Sequence, residues 1–349
     1  MIPTAADAAD ARAEQACAWA RAQLGLAGGA AGAERPSINF APASADASFR
    51  RYFRLREGAR SWIVMDAPPA QEDCRPFLAV ARLLRRWDLN APEIVGEDLA
   101  QGFLLLSDLG TQTFLQALTP ANASALFADA VDALVRLQVR AQADAAAMAF
   151  LPPYDATLLW REVRLFSDWY LPRHLDVRLN GEEAGELERA MGLVVKSALA
   201  QPRTFVHRDY MPRNLMVSEP NPGILDFQDA VIGPISYDPV CLFKDAFLSW
   251  PVEVVEQGLR GYWEKARAAR LPVPAAFAEF WRQAEWMGLQ RHLKVLGIFA
   301  RLTYRDGKAH YVADTPRFVR YVMEVAPKYP ELAPLTALFE RHVLPKVSP

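Results

Sequence analysis

Polar side chains with a fixed spacing occur between residues 207 and 229. The stretch 207–214 reads HRDYMPRN and fits the pattern H-R-D-x-x-x-x-N, and Asp226 follows twelve residues after Asn214. Transfer of a phosphoryl group from a triphosphate requires a carboxylate beside the acceptor hydroxyl and two oxygen ligands for Mg²⁺. We therefore predict that Asp209 accepts or orients the proton of the attacking hydroxyl, and that Asn214 and Asp226 bind Mg²⁺.

Each of these residues also has a structural interpretation. Asp209 and Asp226 could be turn formers, Asn214 a cap and His207 a core histidine, because Asx side chains bond locally to the backbone. Five constrained positions in the correct order, among short strand-like runs, favour the catalytic interpretation. Asp238, before Pro239, is predicted to hold the catalytic loop.

The elements that must position this loop fall into two groups. Residues 1–33 favour a helix, with Ala16, Trp19, Ala20 and Leu24 at helical spacing and an end at Gly28 and Gly29. Strands are predicted at 38–40, 49–55, 62–65, 94–96 and 103–106, with a helix at 72–87. Helices are then predicted at 122–144, 156–172, 182–199, 253–269, 275–305 and 315–325. This order predicts an α+β fold with a small β-rich N-lobe, 1–107, and a large mostly helical C-lobe, 108–349.

Composition limits the function. The chain has 349 residues, 52% of them hydrophobic, so it can bury a large core. A formal net charge of -2 argues against nucleic acid as a partner. No apolar run is long enough to cross a bilayer, and the alanine-rich start carries acidic residues where a signal peptide has basic ones. We predict a cytoplasmic monomer that acts on a small molecule, without nucleic acid or membrane partners.

Longer strings carry a family resemblance. Over about residues 35–330 the chain is similar to the aminoglycoside phosphotransferase and choline kinase branch of the protein-kinase-like superfamily. Five strings resemble the bacterial N-acetylmuramate and N-acetylglucosamine anomeric kinases: ASFRRYFRL (47–55), MDAPP (65–69), VHRDYMPRNLM (206–216), LDFQDAVIGPISYDP (225–239) and LQRHLKVLGIFARL (289–302). The resemblance implies a two-lobed kinase-like fold, ATP as the phosphoryl donor, and phosphorylation of an amino sugar at its anomeric hydroxyl in cell-wall recycling.

The nucleotide site departs from the protein-kinase pattern in two ways. There is no glycine-rich loop, so Ser48 and Phe49, with the amides of 46–49, are the candidates for phosphate contact; a hairpin turn is the alternative. Met65 occupies the position of the phosphate-pairing lysine. Strand alternation places Arg51 on the opposite face from Arg50 and Arg54.

We favour Arg51 as the cleft-facing residue, although a solvated strand face explains all three arginines equally well. Leu106 and Asp108, where the chain leaves the last strand of the N-lobe, are also assigned to the nucleotide.

Acceptor recognition is expected from the C-lobe. Most apolar residues of 157–174 have core spacing, and Glu162 is a candidate sugar contact there, with Arg161 and Trp169 as alternatives. Arg213, inside the catalytic loop, His207 and Asp229 are further substrate candidates; Asp229 could instead bind metal or have a turn role. Two rival functions remain open, a kinase of the same fold for another small alcohol (aminoglycoside, choline, homoserine or fructosamine) and a nucleotide-binding pseudokinase.

Overall fold

The computed structural model describes residues 5–26, 38–45 and 49–347. The chain divides into two compact units: Met1–Thr113 together with Met216–Asp229, and Phe114–Leu215 together with Ala230–Pro349. The sequence predicted one boundary, between residues 107 and 108, which puts residues 216–229 in the C-lobe. In the structure these residues belong to the first unit. No helix in the described ranges is long and apolar enough to cross a bilayer.

The first unit is built on a five-stranded antiparallel sheet with the strand order β1-β2-β3-β5-β4. Its helices are α1 (Ala5–Gln23) and α2 (Arg75–Arg86). Its strands are β1 (Ile38–Ala45), β2 (Arg51–Glu57), β3 (Arg60–Asp66), β4 (Ile94–Asp98) and β5 (Phe103–Ser107). All five strands and both helices were predicted from the sequence.

Helix α1 covers one face of this sheet. Ala16 and Ala20, the small residues at helical spacing, pack with Phe53, Leu55 and Val64 in one buried cluster. Small side chains let the helix approach the sheet closely, and each large apolar side chain buried this way contributes about 1.5–3 kcal/mol. The predicted helix is thus confirmed, but it ends at Gln23, before the predicted end at residues 28–29, which lie outside the described part of the chain.

The second unit is mainly helical, as predicted. Its helices are α3 (Phe114–Ala117), α4 (Ala123–Ala143), α5 (Ala156–Val163), α6 (Gly181–Leu199), α7 (Tyr237–Phe243), α8 (Val252–Ala268), α9 (Phe277–Tyr304), α10 (Thr315–Val325) and α11 (Ala333–Leu338). The shorter 3-10 segments are Ala145–Met148, Pro212–Asn214, Ala309–Asp314, Ala326–Lys328, Pro330–Leu332 and Leu344–Lys346, and the π-helical segments are Phe166–His174 and Phe339–Val343.

The helix predicted over 156–172 is wrong in its second half. Helix α5 ends at Val163, and a π-helical segment, Phe166–His174, replaces the expected continuation. Pro172 lies inside that segment and has no N–H to donate to an α-helical ladder. The backbone N–H of Leu175 instead donates to the carbonyl of Tyr170, five residues earlier, at 3.1 Å.

A short two-stranded antiparallel sheet positions the loop 207–214, which is predicted to be catalytic. Strand β6 (Arg203–Val206) pairs antiparallel with β9 (Val231–Pro234), so that Val206 lies opposite Val231. The loop 207–214 begins where β6 ends and finishes in the 3-10 turn Pro212–Asn214. Two further short strands follow, β7 (Leu215–Met216) and β8 (Gly223–Ile224), which pair with each other.

Candidate active site

Hydrogen bonds hold the loop 207–214 at both ends. The backbone N–H groups of His207 and Arg208 donate to the carboxylate oxygens of Asp238, at 2.7 and 3.0 Å. At the other end, Asn214 Nδ2 donates to the carbonyl oxygen of Asp209 at 2.9 Å. Arg208 has a φ of 76°, which is unfavourable for a residue with a side chain and persists here because the surrounding contacts fix it. Asp209 is thereby fixed on its backbone while its side chain stays partly exposed.

Asp238 is the anchor of this loop. It lies in the first turn of α7 and is fully buried. Burial raises its pKa to about 7, although the two backbone N–H donors favour the charged form. One turn later, Cys241 Sγ donates to the carbonyl of Arg208 at 3.2 Å. The predicted structural role of Asp238 is confirmed by these contacts.

His207 is a core residue of the loop. Its ring is 0% exposed, accepts a hydrogen bond at Nδ1 from the Asp209 backbone N–H at 3.3 Å, and packs edge-on against Tyr210. Tyr210 in turn donates its hydroxyl proton to the carbonyl of Ala130 in α4 at 2.8 Å. The enclosed ring and this hydrogen bond support a role for His207 in positioning Asp209, and its predicted substrate contact stays a prediction.

A buried ion-pair network joins the loop to helices α5 and α9. Glu162 Oε1 forms ion pairs with the guanidinium of Arg208 and, at 3.0 Å, with Lys294 Nζ. Glu162 Oε2 accepts hydrogen bonds from the hydroxyl of Tyr154 and, at 3.3 Å, from Gln290 Nε2. Burial opposes the charged carboxylate, but the two cations lower the pKa of Glu162 to about 2. The predicted sugar contact of Glu162 is therefore not supported, because both oxygens are engaged and the side chain is 6% exposed.

Three cations of the second unit interact with Asp209. Arg208, Arg291 and Lys294 each interact electrostatically with Asp209. Burial opposes the charged form of Lys294, yet Glu162 holds the pKa of this amine above its usual value. The loop arginine and the two α9 cations thus remain charged beside the candidate catalytic carboxylate.

Arg213 connects the loop to the segment that follows α7. Its guanidinium lies 4.7 Å from the ring centroid of Phe247, a cation–π contact. Arg213 is half-buried. The contact brings residues 244–250, which link α7 to α8, next to the catalytic loop.

Asp226 lies in the first unit, on the segment that follows β8. Its φ is 60°, and its Oδ1 accepts a hydrogen bond from Gln228 Nε2 at 2.9 Å. Phe227 is fully buried and packs on Phe77 of α2 with ring centroids 4.9 Å apart. The aromatic side chain therefore anchors the turn that presents Asp226, while Asp229 is exposed.

Two arginine–aspartate pairs flank strand β2. Arg51 Nε donates to Oδ2 of the fully buried Asp66 at 3.0 Å, and Arg12 Nε of α1 donates to the other oxygen at 2.7 Å. Arg54 Nε donates to Asp108 Oδ2 at 2.6 Å. Arg51 shares the α1 side of the sheet with Asp66, and strand alternation puts Arg54 on the other face, as predicted.

The remaining nucleotide candidates are dispersed. Phe49 has an exposed ring, 62% accessible, and its backbone N–H donates to Glu72 Oε1 at 3.2 Å. Leu106 is buried in β5 between β3 and β4. Ser48 lies outside the described residues. These assignments to the nucleotide stay predictions.

The structure thus gathers the predicted residues in two sets. His207, Asp209, Arg213 and Asn214 share one loop of the second unit, and Asp226 and Asp229 share one turn of the first. The sequence did not identify Lys294 or Asp66 as functional. Lys294 lies within the family string 289–302, and that resemblance was the signal available for it.

The chain belongs to the phosphotransferase enzyme family, whose model matches residues 39–271. Two curated relatives are N-acetylmuramate/N-acetylglucosamine kinases. The one from Pseudomonas aeruginosa is 56% identical over 305 residues, 87% of this chain and 89% of the relative. The one from Pseudomonas putida is 52% identical over 330 residues, 94% of this chain and 96% of the relative. The predicted resemblance and the predicted ATP-dependent kinase activity are confirmed.

Solved structures confirm the kinase-like α+β fold. The choline kinase LicA from Streptococcus pneumoniae matches 89% of this chain and 99% of its own, with a TM-score of 0.59 at 12% identity. The streptomycin-ATP complex of APH(2")-IIa matches 91% of this chain and 97% of its own, with a TM-score of 0.56 at 13% identity. At these identities the likeness concerns the fold alone.

Proposed function

We propose that the protein transfers the γ-phosphoryl group of ATP to the anomeric C1 hydroxyl of N-acetylmuramate and N-acetylglucosamine. The observation that carries this proposal is the 56% and 52% identity to kinases named for these two sugars, over nearly the whole length of each relative. The sugar 1-phosphates would enter cell-wall recycling. We place the reaction in the cytoplasm and propose a monomer as the active form.

Asp209 is proposed as the catalytic carboxylate. The C1 hydroxyl donates a hydrogen bond to it, the hydroxyl oxygen attacks the γ-phosphorus, and the bond to the leaving oxygen of ADP breaks as the proton passes to Asp209. Correct positioning of the reacting groups accounts for much of the rate of such a reaction. Here the hydrogen bonds donated by the backbone N–H groups of His207 and Arg208 and by the side chain of Asn214 position the loop.

Asn214 and Asp226 are proposed to hold the divalent metal, Mg²⁺, which neutralises charge on the triphosphate. The residue types fit this ion, since Asn214 donates through Nδ2 and so would coordinate through its amide oxygen, and Asp226 would supply a carboxylate. Both are hard oxygen ligands. Mg²⁺ usually binds one or two such ligands from a protein, and phosphate and water complete its coordination shell.

The other roles follow the sequence assignments. Arg213 and Asp229 are proposed to contact the sugar. The nucleotide contacts are proposed at Ser48, Phe49, Arg51, Leu106 and Asp108. Arg51 is suited to phosphate because buried Asp66 fixes its guanidinium without enclosing it; the side chain is 33% exposed.

An acceptor panel tests the proposal. We expect ADP release with N-acetylmuramate and with N-acetylglucosamine, each with Mg²⁺ and ATP, and little with choline, homoserine, a fructosamine or an aminoglycoside. Turnover of one of those four alcohols with both amino sugars inert would replace the proposed acceptor. Tight ATP binding without turnover of any acceptor would favour the pseudokinase.

A further inference from the structure

Lys244, a lysine that no described carboxylate pairs with, lies close to the predicted catalytic loop. Lys244, at the end of α7, is 7% exposed. Its Nζ lies 5.4 Å from the ring centroid of Tyr321. No described residue forms a hydrogen bond or an ion pair with this amine.

Two carboxylates that act electrostatically on Lys244, those of Glu285 and Glu324, are paired with other cations. Glu285 forms an ion pair with Lys328 at 2.6 Å, and Glu324 with Arg320 at 3.7 Å. Burial lowers the pKa of Lys244, while these two carboxylates act at longer range in the opposite direction. An ammonium group buried without a partner is unfavourable, so a ligand that brings a negative charge to it would gain binding energy.

The neighbouring residue, Asp245, has a buried carboxylate. Its side chain is fully buried and Oδ1 accepts from the backbone N–H of Ala246, but Oδ2 has no hydrogen-bond partner among the described residues. Buried polar atoms are seldom left unpaired. A ligand hydroxyl could donate to this oxygen.

Both groups lie close to the proposed reaction centre within the second unit. Arg291, which interacts electrostatically with Asp209, donates to the carbonyl oxygen of Lys244 at 3.2 Å. Phe247, three residues after Lys244, forms the cation–π contact with Arg213 of the predicted catalytic loop. A sugar bound with its reacting hydroxyl at Asp209 would therefore also lie close to Lys244 and Asp245.

The two proposed substrates differ in charge. N-acetylmuramate carries a lactyl ether that ends in a carboxylate, and N-acetylglucosamine has a hydroxyl in its place. We propose that Lys244 binds the lactyl carboxylate of N-acetylmuramate, and that Asp245 Oδ2 accepts a hydrogen bond from a hydroxyl of either sugar. This inference rests on the proposed function and makes Lys244 the residue that distinguishes its two substrates.

The test compares both sugars on Lys244→Met. We expect the KM for N-acetylmuramate to rise about 10- to 100-fold, the value of one charge-assisted hydrogen bond. The KM values for N-acetylglucosamine and for ATP should stay within about twofold, because neither ligand uses this amine. Lys244→Arg should retain most of the selectivity, and Lys265→Met, which removes an exposed lysine paired with Asp132, should change none of the three constants.

The outcomes separate the inference from the function on which it rests. Equal effects on both sugars, no effect on either, or a raised KM for ATP alone would overturn the role of Lys244 and leave the kinase assignment standing. A wild-type protein that phosphorylates neither sugar would overturn both. Misfolding of Lys244→Met cannot imitate the expected result, because N-acetylglucosamine turnover by the same preparation reports its folding.

Discussion

Asp209→Ala is expected to lower kcat by at least about 100-fold, the usual scale for a positioned acid or base. The carboxylate is partly exposed while the backbone around it is fixed by Asp238 and Asn214, so the substitution removes the reactive group with little change in the loop. The dissociation constant for Mg-ATP should stay within about threefold of wild type, because Asp209 is assigned to the acceptor rather than to the nucleotide.

Steady-state kinetics and calorimetric titration with Mg-ATP measure the two quantities separately. Asp132→Ala, at an exposed position of α4 in the same unit, is the matched control and should leave both unchanged. A rate for Asp209→Ala equal to that of wild type would remove Asp209 from the mechanism. A selective loss of nucleotide binding would assign it to the phosphate site instead.

Glu162→Gln is expected to reduce the free energy of unfolding by about 3–5 kcal/mol, since it removes the buried carboxylate that forms ion pairs with Arg208 and Lys294. The replacement has nearly the same shape, so the loss reports charge rather than packing. Because Arg208 belongs to the catalytic loop, the same change should also lower kcat. Urea denaturation at neutral pH measures the stability difference.

Glu188→Gln is the matched control for this charge effect. Glu188 pairs with Arg164 at 2.7 Å, but these side chains are 62% and 51% exposed. Exposed pairs contribute at most about 1 kcal/mol, so this variant should remain close to wild type. Equal stabilities for the two glutamine variants would mean that the buried ion pairs of Glu162 stabilise the fold no more than an exposed ion pair does.

The position of the loop between short strands could be predicted because it depends on residues close in the chain, while the chemistry of the loop stays a prediction. The spacing of Asp209 and Asn214, and the strand runs on either side, are local features. Asp238 could be assigned because its turn also has a local signature. The same holds for α1, whose small residues at helical spacing predicted the face that packs on the sheet.

The buried network could not be predicted because its partners are distant in sequence. Glu162 and Lys294 are 132 positions apart in the chain, and nothing local to either residue indicates that they meet. For this reason the sequence suggested Glu162 as a sugar contact, whereas its burial and four partners indicate a positioning role. His207 stays a predicted substrate contact, while its enclosed ring against Tyr210 favours a positioning role.

The arginines of β2 show an intermediate case. Strand alternation correctly separated Arg51 from Arg54, because side-chain direction in a strand has a period of two. Their partners could not be predicted, since Asp66 and Asp108 lie on other parts of the chain. Arg12, which shares Asp66 with Arg51, comes from α1 and had no signal in the sequence.

The central claim is phosphoryl transfer to the anomeric hydroxyl, and the position of the new phosphate tests it most directly. The product formed from N-acetylglucosamine with ATP and Mg²⁺ is to be examined by ³¹P and ¹H NMR. We predict that the phosphorus couples to the anomeric proton and that the reducing end is lost. Coupling to the protons on C6, with the reducing end intact, would contradict the account.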